Sequence, residues 1–149
     1  MSKMNIYNKL KNFFHKKDAV EDIIISKPVD WIESRTGQNI IVLKFLVKYL
    51  DSQKHSRKEY FSVIEKAISD GYKRIILDFS MIEYSNTSWG IIDLILIVYK
   101  KLRHIKGKAA GCELKDNLYR ILKVSKLDRL VPIFKTEEQA KANIRKKFW

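Results

Sequence analysis

Leu77-Asp78-Phe79-Ser80-Met81-Ile82-Glu83-Tyr84-Ser85-Asn86-Thr87-Ser88-Trp89-Gly90-Ile91-Ile92 is the stretch on which the fold turns. It joins the end of a short apolar run, Arg74 to Phe79, to the start of a much longer one, Trp89 to Ile105. The first has the pattern of a buried strand, and the second is long enough for a helix of about four turns or more. Ser85 to Ser88, between them, is polar. Asn86, Thr87 and Ser88 are all good helix-starting residues, because a short side-chain oxygen can accept from the amides that the first turn leaves open. A strand passing through a polar turn into an apolar helix is the repeating unit of an α/β layer structure. Within that helix Ile91, Ile92, Leu94, Ile95, Leu96, Ile97 and Val98 cover nearly the full circumference, so it must be buried on more than one side. Neighbouring helices of the same domain account for this, and one strip docked on a partner or on a second copy is the alternative.

Upstream, Asp22 to Arg35 carries Ile23-Ile24-Ile25, Val29, Trp31 and Ile32, broken by Pro28, and reads as one extended arm. Thr36-Gly37-Gln38-Asn39 is a turn, and Ile40 to Leu50 is the returning arm of a hairpin. Asp51 to Lys58 is a polar connection. From Ser56, the spacing of Tyr60, Phe61, Val63, Ile64, Ala67 and Ile68 predicts a helix, and Gly71 after Asp70 supplies its stop. Downstream, Lys106-Gly107-Lys108 ends the long helix and Ala109 to Cys112 is a short buried strand. Lys115 to Val124 is helical through Leu118, Ile121 and Leu122, and Leu130 to Phe134, with Pro132, fits an edge strand. Thr136 with Gln139 forms a capping box opening a last helix toward Ala142.

Composition sets the outer bounds. With 149 residues, 46% of them hydrophobic, the chain can fill one compact core. The expected organisation is a basic amphipathic extension over residues 1–21, a domain over 22–142 and a basic tail over 143–149. Cys112 is the single cysteine, so no internal disulfide forms and a cytoplasmic setting fits. The start lacks the apolar core and cleavage site of a secretory signal, and the run Ile91 to Tyr99 is too short to cross a bilayer. The net charge of +13 gathers at the ends: Lys3, Lys9, Lys11, Lys16 and Lys17 precede any acid, and Lys141, Arg145, Lys146 and Lys147 lie near the other end. Clustered cations interleaved with stacking aromatics, the mark of a nucleic-acid groove, are missing, so specific nucleic-acid binding is not expected. Residues 1–17, with Ile6, Leu10, Phe13 and Phe14 at helical spacing, make either a weak contact with an anionic membrane or a segment packed on their own domain.

Catalysis finds little support. His15, His55 and His104 are far apart in sequence, no Cys or His pair has metal-ligand spacing, and no Gly-rich phosphate loop occurs, so neither metal nor cofactor is expected. Asp78, Glu83 and Asp93 read as solvated or turn carboxylates rather than an acid/base pair.

The segment Leu77 to Ile92 resembles the signature of STAS domains, the anti-sigma-factor antagonist family, in which Leu-Asp-Leu-Ser is followed by an aromatic and then by Asp-Ser-Ser-Gly opening a hydrophobic helix. The likeness extends over roughly residues 29–142. It implies a mixed sheet of about four or five strands covered by about four helices. It also implies a non-enzymatic regulatory domain engaged in partner switching, with Thr87 as phosphoacceptor and Ser88 as second choice. Asn86 stands where the family has Asp, and Trp89 where it has Gly. Asn86, Thr87, Ser88, Trp89 and Gly90 form the partner-binding patch that the resemblance implies. Its partners would be an anti-sigma factor with serine/threonine kinase activity and a cognate phosphatase, with a homodimer as a further option. A phosphate at a helix N-terminus is tolerated by the fold, yet its charge of about −1.5 to −2 opposes an apolar interface, so modification would release the partner. Some STAS domains instead serve membrane transport systems, docking on a transporter ATPase or the membrane surface, and the basic start of this chain fits that alternative.

Overall fold

The computed structural model describes residues 24–50, 57–83 and 89–146, with Trp89 described by its backbone. Six strands form one sheet in sequence order: β1 (Ile24–Val29), β2 (Ile32–Gly37), β3 (Ile40–Phe45), β4 (Arg74–Asp78), β5 (Lys108–Cys112) and β6 (Ile133–Phe134). The first three are antiparallel neighbours, and β3 through β6 are parallel. Helices α1 (Arg57–Ser69), α2 (Trp89–His104), α3 (Asp116–Val124) and α4 (Glu137–Ile144) connect or follow the parallel strands. This is the expected mixed sheet with four helices, but it has six strands where four or five were expected.

The extra strand comes from the first arm. Asp22 to Arg35 is not one extended segment, because the chain reverses at Asp30-Trp31 and residues 24–29 fold back as a separate edge strand. Pro28, which cannot donate to a ladder, sits in the irregular register between Ser26 and Val29 on that edge. The reversal places Trp31 beneath α1, where its indole Nε1 donates to Glu59 Oε2 at 2.9 Å and its ring meets Tyr60 edge-on at 6.1 Å. Gly71 ends α1 as expected, at φ +98°, a conformation that costs L-residues about 1–2 kcal/mol.

Side chains on β3 and β4 alternate between two cores. Ile41, Leu43, Phe45, Ile75 and Leu77 join the large core beneath α1, α2 and α3. Ile40, Val42 and Ile76 point the other way, with Ala110 and Cys112, against Ala140 and Ile144 of α4. In α2, Ile91, Leu94, Ile95, Ile97 and Val98 are buried, with Ile92 and Leu96 packed at the margin. The helix that was expected to need cover on more than one side therefore finds it largely within its own domain. Phe79, just beyond β4, stacks on Phe45 with centroids 5.7 Å apart, a pairing that contributes about 0.5–1.5 kcal/mol beyond burial.

The second core is sealed by α4, which runs to Ile144, two residues past the expected Ala142. Thr136 caps it by accepting from Gln139 N, and Gln139 Oε1 reaches back to Lys135 N. Arg35 on β2 donates to Glu137, whose other carboxylate oxygen lies 3.1 Å from Lys141 Nζ. Burial raises the Glu137 pKa, but Arg35 and Lys141 outweigh it, so the carboxyl stays below its ordinary 4.5. A carboxylate whose pKa is depressed by folding stabilises the fold above its unfolded pKa and stops doing so as pH falls through the folded value. Thermal melts across pH test this. Glu137→Gln is expected to be less stable than wild type at neutral pH, and the gap should close between about pH 5 and pH 3.

Candidate functional site

Beyond β4 the backbone is fastened at several points before residue 84. Asp78, only 7% exposed, accepts the amide of Ser80 at 2.9 Å, so it is a turn carboxylate but not a solvated one. Phe79 N donates to Cys112 O and Ile82 N to Phe79 O. Ile82 is fully buried. Glu83 N then bonds Lys48 O at 2.6 Å, and Lys115 Nζ donates to the carbonyls of Ser80 and Ile82 at 3.2 and 2.9 Å.

On the far side the chain is held equally closely. At Gly90 an added Cβ would stand 2.3 Å from Leu50 O and 2.8 Å from Leu50 Cβ, so the first turn of α2 lies directly against the segment that follows β3. One turn on, Asp93 accepts from the Tyr60 hydroxyl and from Arg57 Nε at 2.9 Å, tying α2 to α1. Asp93 is thus a partly solvated carboxylate that also links two helices. Arg57 is largely exposed, so its ion pair contributes at most about 1 kcal/mol. Burial and then the bond to Asp93 push the Tyr60 phenol well above its ordinary range, which keeps it a hydrogen-bond donor.

Residues 84–88, which include Asn86, Thr87 and Ser88, lie outside the described residues, as does the basic amphipathic stretch 1–17. The structure fixes the two ends of the 84–88 segment, Glu83 and Trp89, at the rim where the parallel strands finish. Gly90 is half-buried and turned toward Leu50. Sequence reading did not single out Tyr49 and Met81, exposed at 44% and 41%. Both sit on the two rim segments joined by the Glu83–Lys48 hydrogen bond. Nothing in their own neighbourhood marks them, since an apolar residue beside a strand reads as core. Lys115 was read only as the start of a helix, and its role in holding the loop arises from a contact 33 residues away in the chain.

Among the described residues no group of His, Cys, Asp and Glu could hold a metal, and no helix is long and apolar enough to cross a membrane. Burial, followed by the charges of Asp78 and Glu137, pushes the Cys112 thiol up to about 12, which leaves it protonated and inert.

The described elements define a mixed-sheet α/β domain whose β4-to-α2 connection lies at the C-terminal rim of the parallel strands. A family model described as the STAS domain matches residues 31–140, and the chain belongs to that family. Over 75 residues, half of this chain, it is 27% identical to BtrV of Bordetella bronchiseptica, named as a candidate anti-sigma factor antagonist. The matched stretch spans 63% of that relative. Among solved structures it resembles TM1081 of Thermotoga maritima, also named as a candidate anti-sigma factor antagonist, with a TM-score of 0.62 and 20% identity over 78% of this chain and 97% of that one. It also resembles the anti-sigma factor antagonist SpoIIAA in its unphosphorylated form, with a TM-score of 0.56 and 18% identity over 85% of this chain and all of that one.

Gly90→Ala tests the seating of α2. Its methyl group must displace the Leu50 backbone, so a loss of about 1–3 kcal/mol is expected in chemical denaturation. Unchanged stability would mean that α2 does not rest against Leu50.

Proposed function

We propose that this chain is a non-enzymatic anti-sigma-factor antagonist that works by partner switching, with Thr87 as phosphoacceptor and Ser88 as second choice. The observation that carries the reading is the pair of pinned ends, Glu83 on Lys48 and Gly90 under Leu50, on either side of the hydroxyl-rich stretch 84–89. A segment between two anchored ends can be modified without unfolding the domain. Asn86, Thr87, Ser88, Trp89 and Gly90 form the recognition segment, and exposed Tyr49 and Met81 extend it with apolar area. The partner is a regulatory protein such as an anti-sigma factor with serine/threonine kinase activity, opposed by a phosphatase. SpoIIAA, which shares the fold, has been solved in a phosphorylated as well as an unphosphorylated form.

The energetics favour release on modification. Unmodified, Asn86, Thr87 and Ser88 carry no charge. A phosphate there adds about −1.5 to −2 charges, which the amides at the start of α2 can meet within the protein but an apolar partner surface cannot.

Binding of a purified anti-sigma kinase from the same genome, measured by titration calorimetry, tests the reading. Wild type and Thr87→Ala should bind alike, and Thr87→Glu should bind at least about tenfold more weakly, the effect of one unfavourable interfacial charge. Equal binding by Thr87→Glu, or no binding by wild type to any such kinase, would overturn it.

A further inference from the structure

Between α1 and the edge strand β1 runs an open groove of about 230 Å³. Val63 and Ala67 of α1, with Ile41 of β3 and Ser34 of β2, form its buried base. Ile24, Ser26 and Pro28 line it from β1, and Lys66 and Asp70, ion-paired at 3.4 Å, line it from the helix. Its volume falls below the roughly 300–1,000 Å³ of small-molecule pockets, so a few side chains fill it. Ile24 on this wall is large and apolar, yet 63% exposed. An edge strand with uncovered apolar residues invites pairing with other chains, and proteins normally cover it.

The register shows where the chain joins this groove. Ile24 pairs with Thr36, Thr36 with Ile41, and Ile41 with Ile75, so β1 begins at the end of the sheet where β3 and β4 also begin. Tyr72, just ahead of β4, lines the groove at that end. Whatever precedes Ile24 is therefore bonded to the chain at the mouth of the groove.

What precedes it is a stretch whose apolar face needs cover. Ile6, Leu10, Phe13 and Phe14 fall on one helical face among lysines and asparagines. Nine residues, 15–23, separate them from β1 and span up to about 30 Å when extended. The six residues of β1 cover only about 20 Å, so the whole groove is within reach. A short tether also holds the segment at an effective concentration in the mM range, which makes up for a small contact area. A separate protein or a second copy would need about 800 Å² on each side for a stable complex, more than a groove of this size offers.

We infer that residues 6–14 fold back onto their own domain, laying Leu10, Phe13 and Phe14 into the groove between β1 and α1 and covering Ile24. An apolar face buried in this way is withheld from a bilayer, so the segment is a built-in cover for the sheet edge rather than a membrane anchor. The groove opens at the end of the sheet away from Glu83 and Gly90, so the inference does not depend on the switching reading.

A nitroxide on Asn12→Cys in the full chain, read by the broadening of backbone amide NMR signals, tests it. Asn12 falls on the helical face opposite Leu10 and Phe13, so the probe stays out of the contact. Cys112 is fully buried and does not take the label. Broadening is expected to centre on Ser26, Thr36, Val63, Ala67 and Tyr72 and to spare α3. Phe13→Asp combined with Phe14→Asp should abolish it and speed hydrogen exchange of the β1 amides by about tenfold or more, with the circular dichroism spectrum unchanged. Ile24→Asp, which alters the groove wall instead of the segment, should weaken the broadening in the same way. Four results would overturn the inference: broadening that is uniform or centred elsewhere, broadening carried to an isotope-labelled chain by a separate spin-labelled copy, broadening that persists in the double variant, and release of the segment from the groove by vesicles of anionic phospholipid.

Discussion

Strand β4 has no face open to water. Ile75, Ile76 and Leu77 are fully buried, with β3 on one side and β5 on the other, so the sheet must be covered on both faces exactly where this strand runs. One cover is the layer of α1, α2 and α3 over Ile75 and Leu77, and the other is α4 over Ile76. The unequal thickness of the two covers explains why α4 is so firmly clasped. A single short helix seals its side, and Thr136 together with the Arg35–Glu137–Lys141 cluster holds it there.

The same strand sets the position of the candidate switch. Because β4 is central and parallel to its neighbours, its exit lies at the sheet rim between the segment after β3 and the start of α3. Lys48, Cys112 and Lys115 can therefore all bond to residues 79–83. Gly90, in the first turn of α2, rests against Leu50. The proposed switch lies between two such fastenings, so its modification would come at modest cost to the core.

Much of this was readable in the residues because it is local. Gly71 as a helix stop, Thr136 with Gln139 as a cap, and the apolar girth of α2 each depend on neighbours within a few positions. The resemblance carried by Leu77 to Ile92 led to the family and to the four-helix mixed sheet. The reversal at Asp30-Trp31 was missed because Pro28 and the isoleucines before it look like one interrupted strand. Only the packing of Trp31 on Glu59 and Tyr60 makes two of it. Gly90 read as part of a binding patch, yet its backbone is fixed by Leu50, 40 residues earlier. Asp93 reads as a solvated or turn carboxylate, and its bonds to Tyr60 and Arg57 come from α1, more than 30 residues earlier. Such pairings between distant segments leave no periodic trace in a sequence.

Thr87 is the residue proposed to change state. Phosphosite mapping by mass spectrometry, on the protein recovered from its own cells under several growth conditions, tests this most directly. The account predicts phosphate on Thr87, in an occupancy that varies with condition and is abolished by Thr87→Ala without transfer to a distant residue. Phosphate found only outside residues 86–88, or none in any condition, would contradict it.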